Sequence, residues 1–110
     1  MTSYDEFENV NLRSGTIIET KEFPKARKAA YKIWVDFGSE IGILQTSAQV
    51  TKHYTLKTLI GKKIIGCINL GEKNIGGFKS HFLLLGFSDK DGDILLASAD
   101  SNTPDGCKLH

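Results

Sequence analysis

Cysteine, proline and acidic residues are each scarce somewhere in this chain, and each scarcity excludes something. There are two cysteines, Cys67 and Cys107, far apart and without a CxxC pair. No apolar run reaches the ~18–20 residues that a membrane-spanning helix needs, so no membrane insertion is expected. The first ten residues, MTSYDEFENV, are acidic and lack the apolar core of a secretory signal. Without an export signal, the two thiols are expected to be reduced and the protein cytoplasmic.

Catalytic and metal-binding patterns are missing too. His53, Cys67, His81, Cys107 and His110 do not fall at metal-ligand spacing. The segment DKDGD, residues 89–93, has its glycine at the fourth place of a would-be calcium loop instead of the sixth, and no closing glutamate. Ser80 and His81 are adjacent, so on a strand they point to opposite faces and cannot act as a nucleophile–base pair. GEKNIGG, residues 71–77, matches neither a phosphate-binding loop nor a dinucleotide fingerprint. A non-enzymatic binding protein is expected, with no catalytic residues, no cofactor and no metal.

Acid is absent altogether from residue 41 to residue 71. Between Lys21 and Lys79, eleven lysines and arginines face four acids, so this segment carries +7, although the whole chain carries only +1. Both flanks are acidic. A basic middle between acidic ends predicts a one-sided positive surface suited to an anionic ligand.

The apolar pattern describes a barrel. At 110 residues with 40% apolar content, one domain spanning residues 1–110 with one compact core is expected. SYDEFENV reads as a short helix capped by Ser3, with Glu6 completing a capping box and Phe7 and Val10 as apolar points. LRSGTIIETKEF reads as a long strand, with a bulge or bend expected at Gly15. In YKIWVDFG, Tyr31, Ile33, Val35 and Phe37 take one face while Lys32, Trp34 and Asp36 take the other. IGILQTS forms a hairpin with it. Thr55 to Ile60 reads as a helical turn capped by Thr55 and ended by Gly61. KKIIGCINL is a fourth strand, SHFLLLGFS a fifth and ILLAS a short last one, followed by a turn-rich tail. The predicted fold is all-β: a five-stranded Greek-key barrel of the OB type, with a short N-terminal helix and a helical turn between strands three and four. An SH3-like barrel fits less well, because it rarely carries a helical insert there.

Several stretches carry a closer resemblance. Residues 5–55, LIGKKIIGCINL and IGGFKSHFLLLG together resemble the CsaA family, small tRNA-binding-domain proteins described as protein-export chaperones. SAQVTKHYT (47–55) and IGGFKS (75–80) are the most distinctive pieces. The resemblance extends to the tRNA-binding domains attached to some aminoacyl-tRNA synthetases. It implies a homodimer that binds tRNA or structured RNA, or unfolded, pre-secretory polypeptide.

On the physical side, lysines and arginines neutralise phosphates. Lys25, Arg27 and Lys28 share one connection, and Lys73 and Lys79 flank a glycine pair. Asn69 and Ser80 match the polar positions of the family's tRNA-binding motif. Trp34, Phe78 and Phe82 are the apolar candidates for a polypeptide groove. The chain departs from the pattern where relatives carry a proline pair and a basic pair, reading Gly71-Glu72 and Lys73-Asn74. Leu44 stands where lysine is frequent, and Phe82-Leu83 where the synthetase-type domains have Gly-Met. Each change makes the surface less basic or more apolar, so modest RNA affinity is expected.

Overall fold

The computed structural model describes all 110 residues. Two short helices and nine strands follow in the order α1 (Tyr4–Asn9), β1 (Leu12–Glu22), β2 (Tyr31–Asp36), β3 (Ile43–Ala48), α2 (Leu56–Leu59), β4 (Lys63–Cys67), β5 (Lys73–Ile75), β6 (Phe78–Ser80), β7 (Leu83–Leu84), β8 (Gly86–Ser88) and β9 (Ile94–Leu96). The main sheet is antiparallel in the order β3-β2-β1-β4-β7, while β5-β6 and β8-β9 are separate hairpins. The result is a nearly closed five-stranded barrel of the OB type. No helix is long and apolar enough to cross a membrane.

Both helices start as their sequences direct. Ser3 and Glu6 form the reciprocal capping box of α1. At α2, Thr58 stands where an acidic partner would be usual, and its hydroxyl accepts from the Thr55 N–H at 2.9 Å, completing the box without charge.

The alternation in β2 faces the expected way. Tyr31, Ile33 and Val35 point into the core with Phe37 just beyond the strand, and Lys32, Trp34 and Asp36 point out. Ile17, Leu59, Ile64 and Phe82 fill the same core. The bulge in β1 does not fall at Gly15. The register slips between Ile17 and Glu19, which makes the exposed Ile18 the extra residue. Gly15 is instead required by packing, since a Cβ there would meet Val35 Cγ1 at 2.5 Å.

The predicted fifth strand is also broken, into β7 and β8, with Leu85 between them donating to the Ile65 carbonyl. Barrel closure against β3 therefore combines a backbone bond with side-chain bonds. The His81 N–H reaches the Gln45 carbonyl at 2.8 Å, and the buried Thr46 hydroxyl reaches the Phe82 carbonyl at 2.8 Å.

The tail does more than turn. Since β2 ends with Asp36 opposite Thr16, the edge of β1 before Thr16 has no β2 partner. Residues 104–109 lie along it. The Ser14 N–H bonds to the Cys107 carbonyl, the Gly106 N–H to the Ser14 carbonyl and the Leu109 N–H to the Leu12 carbonyl. An otherwise open strand edge is thus covered. Asp105 anchors the tail, accepting from the Thr16 hydroxyl at 2.6 Å and the Lys63 ammonium at 3.0 Å.

Burial pushes the Asp105 carboxyl upward, but the bonds from Thr16 and Lys63 outweigh it and hold it below its ordinary 3.8. A depressed folded pKa means that its contribution is present above the unfolded value and is lost as pH falls through the folded one. Asp105→Asn is expected to cost about 1 kcal/mol at neutral pH and to flatten the loss of stability below pH ~4. Urea titrations at neutral pH and at steps into the acid range check this. An acid limb identical to that of the parent protein would remove Asp105 from the account.

Candidate nucleic-acid interface

The stretch between β4 and β7 is a tight hairpin. Lys73 pairs with Ser80, Asn74 with Lys79 and Ile75 with Phe78. The two central residues, Gly76 and Gly77, both have positive φ, 57° and 82°. That is the requirement of a type I′ turn, which side-chain-bearing residues resist. Asn74 Oδ1 accepts from the Gly77 N–H at 3.0 Å and fixes the turn. The tip lies on the β1–β2 connection: a Cβ at Gly76 would sit 3.3 Å from both the Lys25 carbonyl oxygen and the Phe23 ring. The hairpin that carries Lys73 and Lys79 thereby touches the connection that carries Lys25, Arg27 and Lys28.

Beneath the hairpin lies a cluster of aromatic rings and lysines. Phe78 meets Phe23 edge-on at 5.6 Å and Trp34 at 5.9 Å. Lys32 Nζ stands 5.1 Å from the Phe23 ring centre and 5.0 Å from that of Phe78, and Lys21 Nζ stands 5.4 Å from that of Trp34. These are cation–π distances. Gln45, opposite Trp34 across the β2–β3 pair, ties the cluster together. Its Oε1 accepts from Trp34 Nε1 at 3.2 Å, and its Nε2 donates to the Lys79 carbonyl at 2.9 Å.

Few of the cations are neutralised. Among the basic residues from 21 to 79, Lys21 pairs with Glu19 at 3.4 Å, Lys63 with Asp105 at 3.0 Å and Lys79 with Glu72 at 4.0 Å. Lys25, Arg27, Lys28 and Lys73 are unpaired and reach solvent. Glu72 also faces His81 at 3.5 Å. The arrangement can hold phosphates on its rim and apolar or aromatic groups on its floor.

Three sequence candidates are engaged elsewhere. Asn69 Oδ1 accepts from the Asn11 N–H at 2.9 Å and its Nδ2 donates to the Asn9 carbonyl at 2.7 Å, so it ties the end of α1 to the end of β4. The buried Ser80 hydroxyl accepts from the Ser47 N–H at 2.9 Å and helps close the barrel. Phe82 sits in the core and not on the surface of a groove. Only 4% exposed, it packs edge-on against Phe37 at 4.9 Å. Trp34 and Phe78 are half-buried and remain at the surface. Sequence reasoning missed Phe23, Lys32 and Gln45 as members of the cluster. The alternation that puts Trp34 outside also places Lys32 on that face, and the hairpin register places Gln45 opposite. Phe23 carries no such signal.

Known proteins share this architecture. The structure superposes on the CsaA chaperones of Bacillus anthracis str. Ames and of Picrophilus torridus, each with a TM-score of 0.93 and 38% identity. All of this chain is covered in both cases, with 99% and 100% of those chains. The methionine–tRNA ligase of Methanococcus maripaludis (strain C5) is 36% identical over 106 residues, 96% of this chain. The chain spans only 15% of that ligase. Residues 12–108 match the family described as "Putative tRNA binding domain", so the chain belongs to this tRNA-binding-domain family.

Proposed function

We propose that this protein is a cytoplasmic, non-enzymatic binding protein that works as a homodimer, holds tRNA or another structured RNA, and also serves as a CsaA-like chaperone for unfolded, pre-secretory polypeptide. The observation that carries the RNA reading is the meeting of the Gly76–Gly77 hairpin tip with the Lys25 connection over the Phe23–Trp34–Phe78 cluster. Unpaired cations on the rim release counterions when they meet phosphates, and aromatic faces accept bases. The same floor, with Trp34 and Phe78 half-buried, offers an apolar strip to extended polypeptide.

The homodimer reading is supported by a second group of apolar residues. Leu12, Cys67 and Leu83 lie in one row across β1, β4 and β7, and Phe87 lies opposite Leu95 in the β8–β9 hairpin. Leu83, Phe87 and Leu95 are exposed, as are Tyr4, Phe7 and Val10 around α1. Exposed apolar side chains grouped in this way mark an association surface, and an isologous pairing of two copies would cover it.

Fluorescence anisotropy of labelled bulk tRNA and of a labelled unfolded peptide, each at several salt concentrations, tests the ligands. The expected result is tRNA binding that weakens steeply with salt and peptide binding that resists it. Absence of tRNA binding at low salt would end the RNA reading, and salt-sensitive binding with no peptide response would end the chaperone reading. Sedimentation equilibrium should give twice the chain mass; a concentration-independent monomer would end the homodimer.

A further inference from the structure

We propose that the RNA-binding surface continues around the end of the barrel onto the β3–β4 connection, where Lys52, Lys57 and Lys62 form a second row of phosphate contacts to a double-helical stretch of the RNA. The inference rests on the RNA reading above and extends its footprint and substrate class.

Register places the two regions together. Tyr31, the first residue of β2, pairs with Ala48, the last of β3. The β1–β2 and β3–β4 connections therefore leave the barrel at the same end. The Tyr31 hydroxyl donates to the Tyr54 carbonyl at 3.0 Å, joining the start of β2 to the β3–β4 connection. Lys25, Arg27 and Lys28 thus belong to the same end of the barrel as Lys52, Lys57 and Lys62.

The connection carries no acid of its own. Residues 49–62 contain no acid. Lys52, Lys57 and Lys62 are exposed, and none takes part in an ion pair. Asp89, which approaches from the β8–β9 turn, is held by His53 at 2.7 Å. Glu22 at the end of β1, opposite Tyr31, and Asp91 and Asp93, in and just after the turn that carries Asp89, are the nearby acids that reach solvent.

The chemistry of this row differs from that of the hairpin. Its aromatic residue, Tyr54, has its ring approached by Lys62 Nζ at 5.6 Å and its hydroxyl accepting from the Leu96 N–H at 2.9 Å. The Thr55 and Thr58 hydroxyls are engaged in the cap of α2. What remains free is ammonium charge on long, mobile stems, which contacts phosphate without reading a base. A single strand held by stacking on the aromatic cluster needs one row of cations. Two rows on separate connections suit the two backbones of an RNA helix, recognised by phosphate and shape.

The experiment compares the parent protein with a Lys52→Glu, Lys57→Glu, Lys62→Glu variant and with its glutamine counterpart. The probes are bulk tRNA, a short duplex RNA stem and an unstructured single strand of equal length. All three lysines are exposed, so thermal melting should stay unchanged and vouch for the fold. The glutamate variant should lose on the order of 100-fold in tRNA and duplex affinity at physiological salt, and its salt slope should fall by about 0.9 for each phosphate contact removed. The glutamine variant should show the same loss of slope with a smaller loss of affinity, and single-strand binding should change least. If the parent binds tRNA and both variants match it in affinity and slope, the second row does not exist. Loss in the glutamate variant alone would indicate introduced repulsion and overturn the proposal too. A parent protein that binds no RNA overturns the RNA reading and this extension together.

Discussion

Phe37→Ala is expected to lower the free energy of unfolding by about 3–5 kcal/mol, a large share of the roughly 5–15 kcal/mol available to a domain of this size. Phe37 is 1% exposed and meets Phe82 edge-on at 4.9 Å with the planes at 84°. Its ring fills space that two glycines leave open. A Cβ at Gly66 would lie 2.8 Å from Phe37 Cζ and 2.8 Å from Phe82 Cδ2, and one at Gly15 would lie 3.0 Å from Phe37 Cδ1. The two rings and the two bare backbone positions form one packed unit between β1, β4 and the segment that closes the barrel. Truncation removes the buried ring, leaves a cavity that the backbone cannot collapse into, and deprives Phe82 of its partner. Urea denaturation with an unchanged m-value and a lower midpoint is the expected signature. A loss below about 1 kcal/mol would mean that the core repacks and that this unit is not the keystone of the barrel.

Phe82 also shows where sequence reasoning stops. It lies five residues from the glycine turn, and proximity in sequence groups it with Phe78 as a ligand contact. Period-two alternation separates the faces of one strand, as it does for Tyr31, Ile33, Val35 and Phe37 in β2. It cannot say which face is inside when a strand is broken, and the fifth strand breaks at Leu85. The hydrogen bonds of Ser80 and Asn69 are hidden for a related reason. Their partners, Ser47, Asn9 and Asn11, are distant in sequence, and nothing local announces such bonds. The tail reads as turns because its pairing with β1 depends on where β2 happens to end. Helix caps, by contrast, lie within four residues, so those at Ser3 and Thr55 are legible in the chain itself.

Reversing the charge of both hairpin lysines, Lys73→Glu with Lys79→Glu, is expected to reduce tRNA affinity on the order of 100-fold at physiological salt and to lower the salt slope by nearly 2. The two positions should not contribute equally. Lys73 pairs with Ser80 and lies on the Phe78 side of the hairpin, whereas Lys79 pairs with Asn74 and points to the other side. Lys73 is unpaired, but Lys79 has Glu72 at 4.0 Å and shares that carboxylate with His81 at 3.5 Å. Exposed pairs of this kind contribute little stability, yet a carboxylate beside a phosphate-binding lysine repels the ligand directly. Lys73→Glu alone should therefore cost more than Lys79→Glu alone. Glu72→Gln should raise affinity several-fold and steepen the salt dependence, because it frees Lys79 from a competing carboxylate. Anisotropy titrations of the four variants against one tRNA preparation decide the matter. Equal affinities for the double variant and the parent would move the RNA site off the hairpin. A Glu72→Gln variant that binds no better would show that Glu72 lies outside the path of the phosphates.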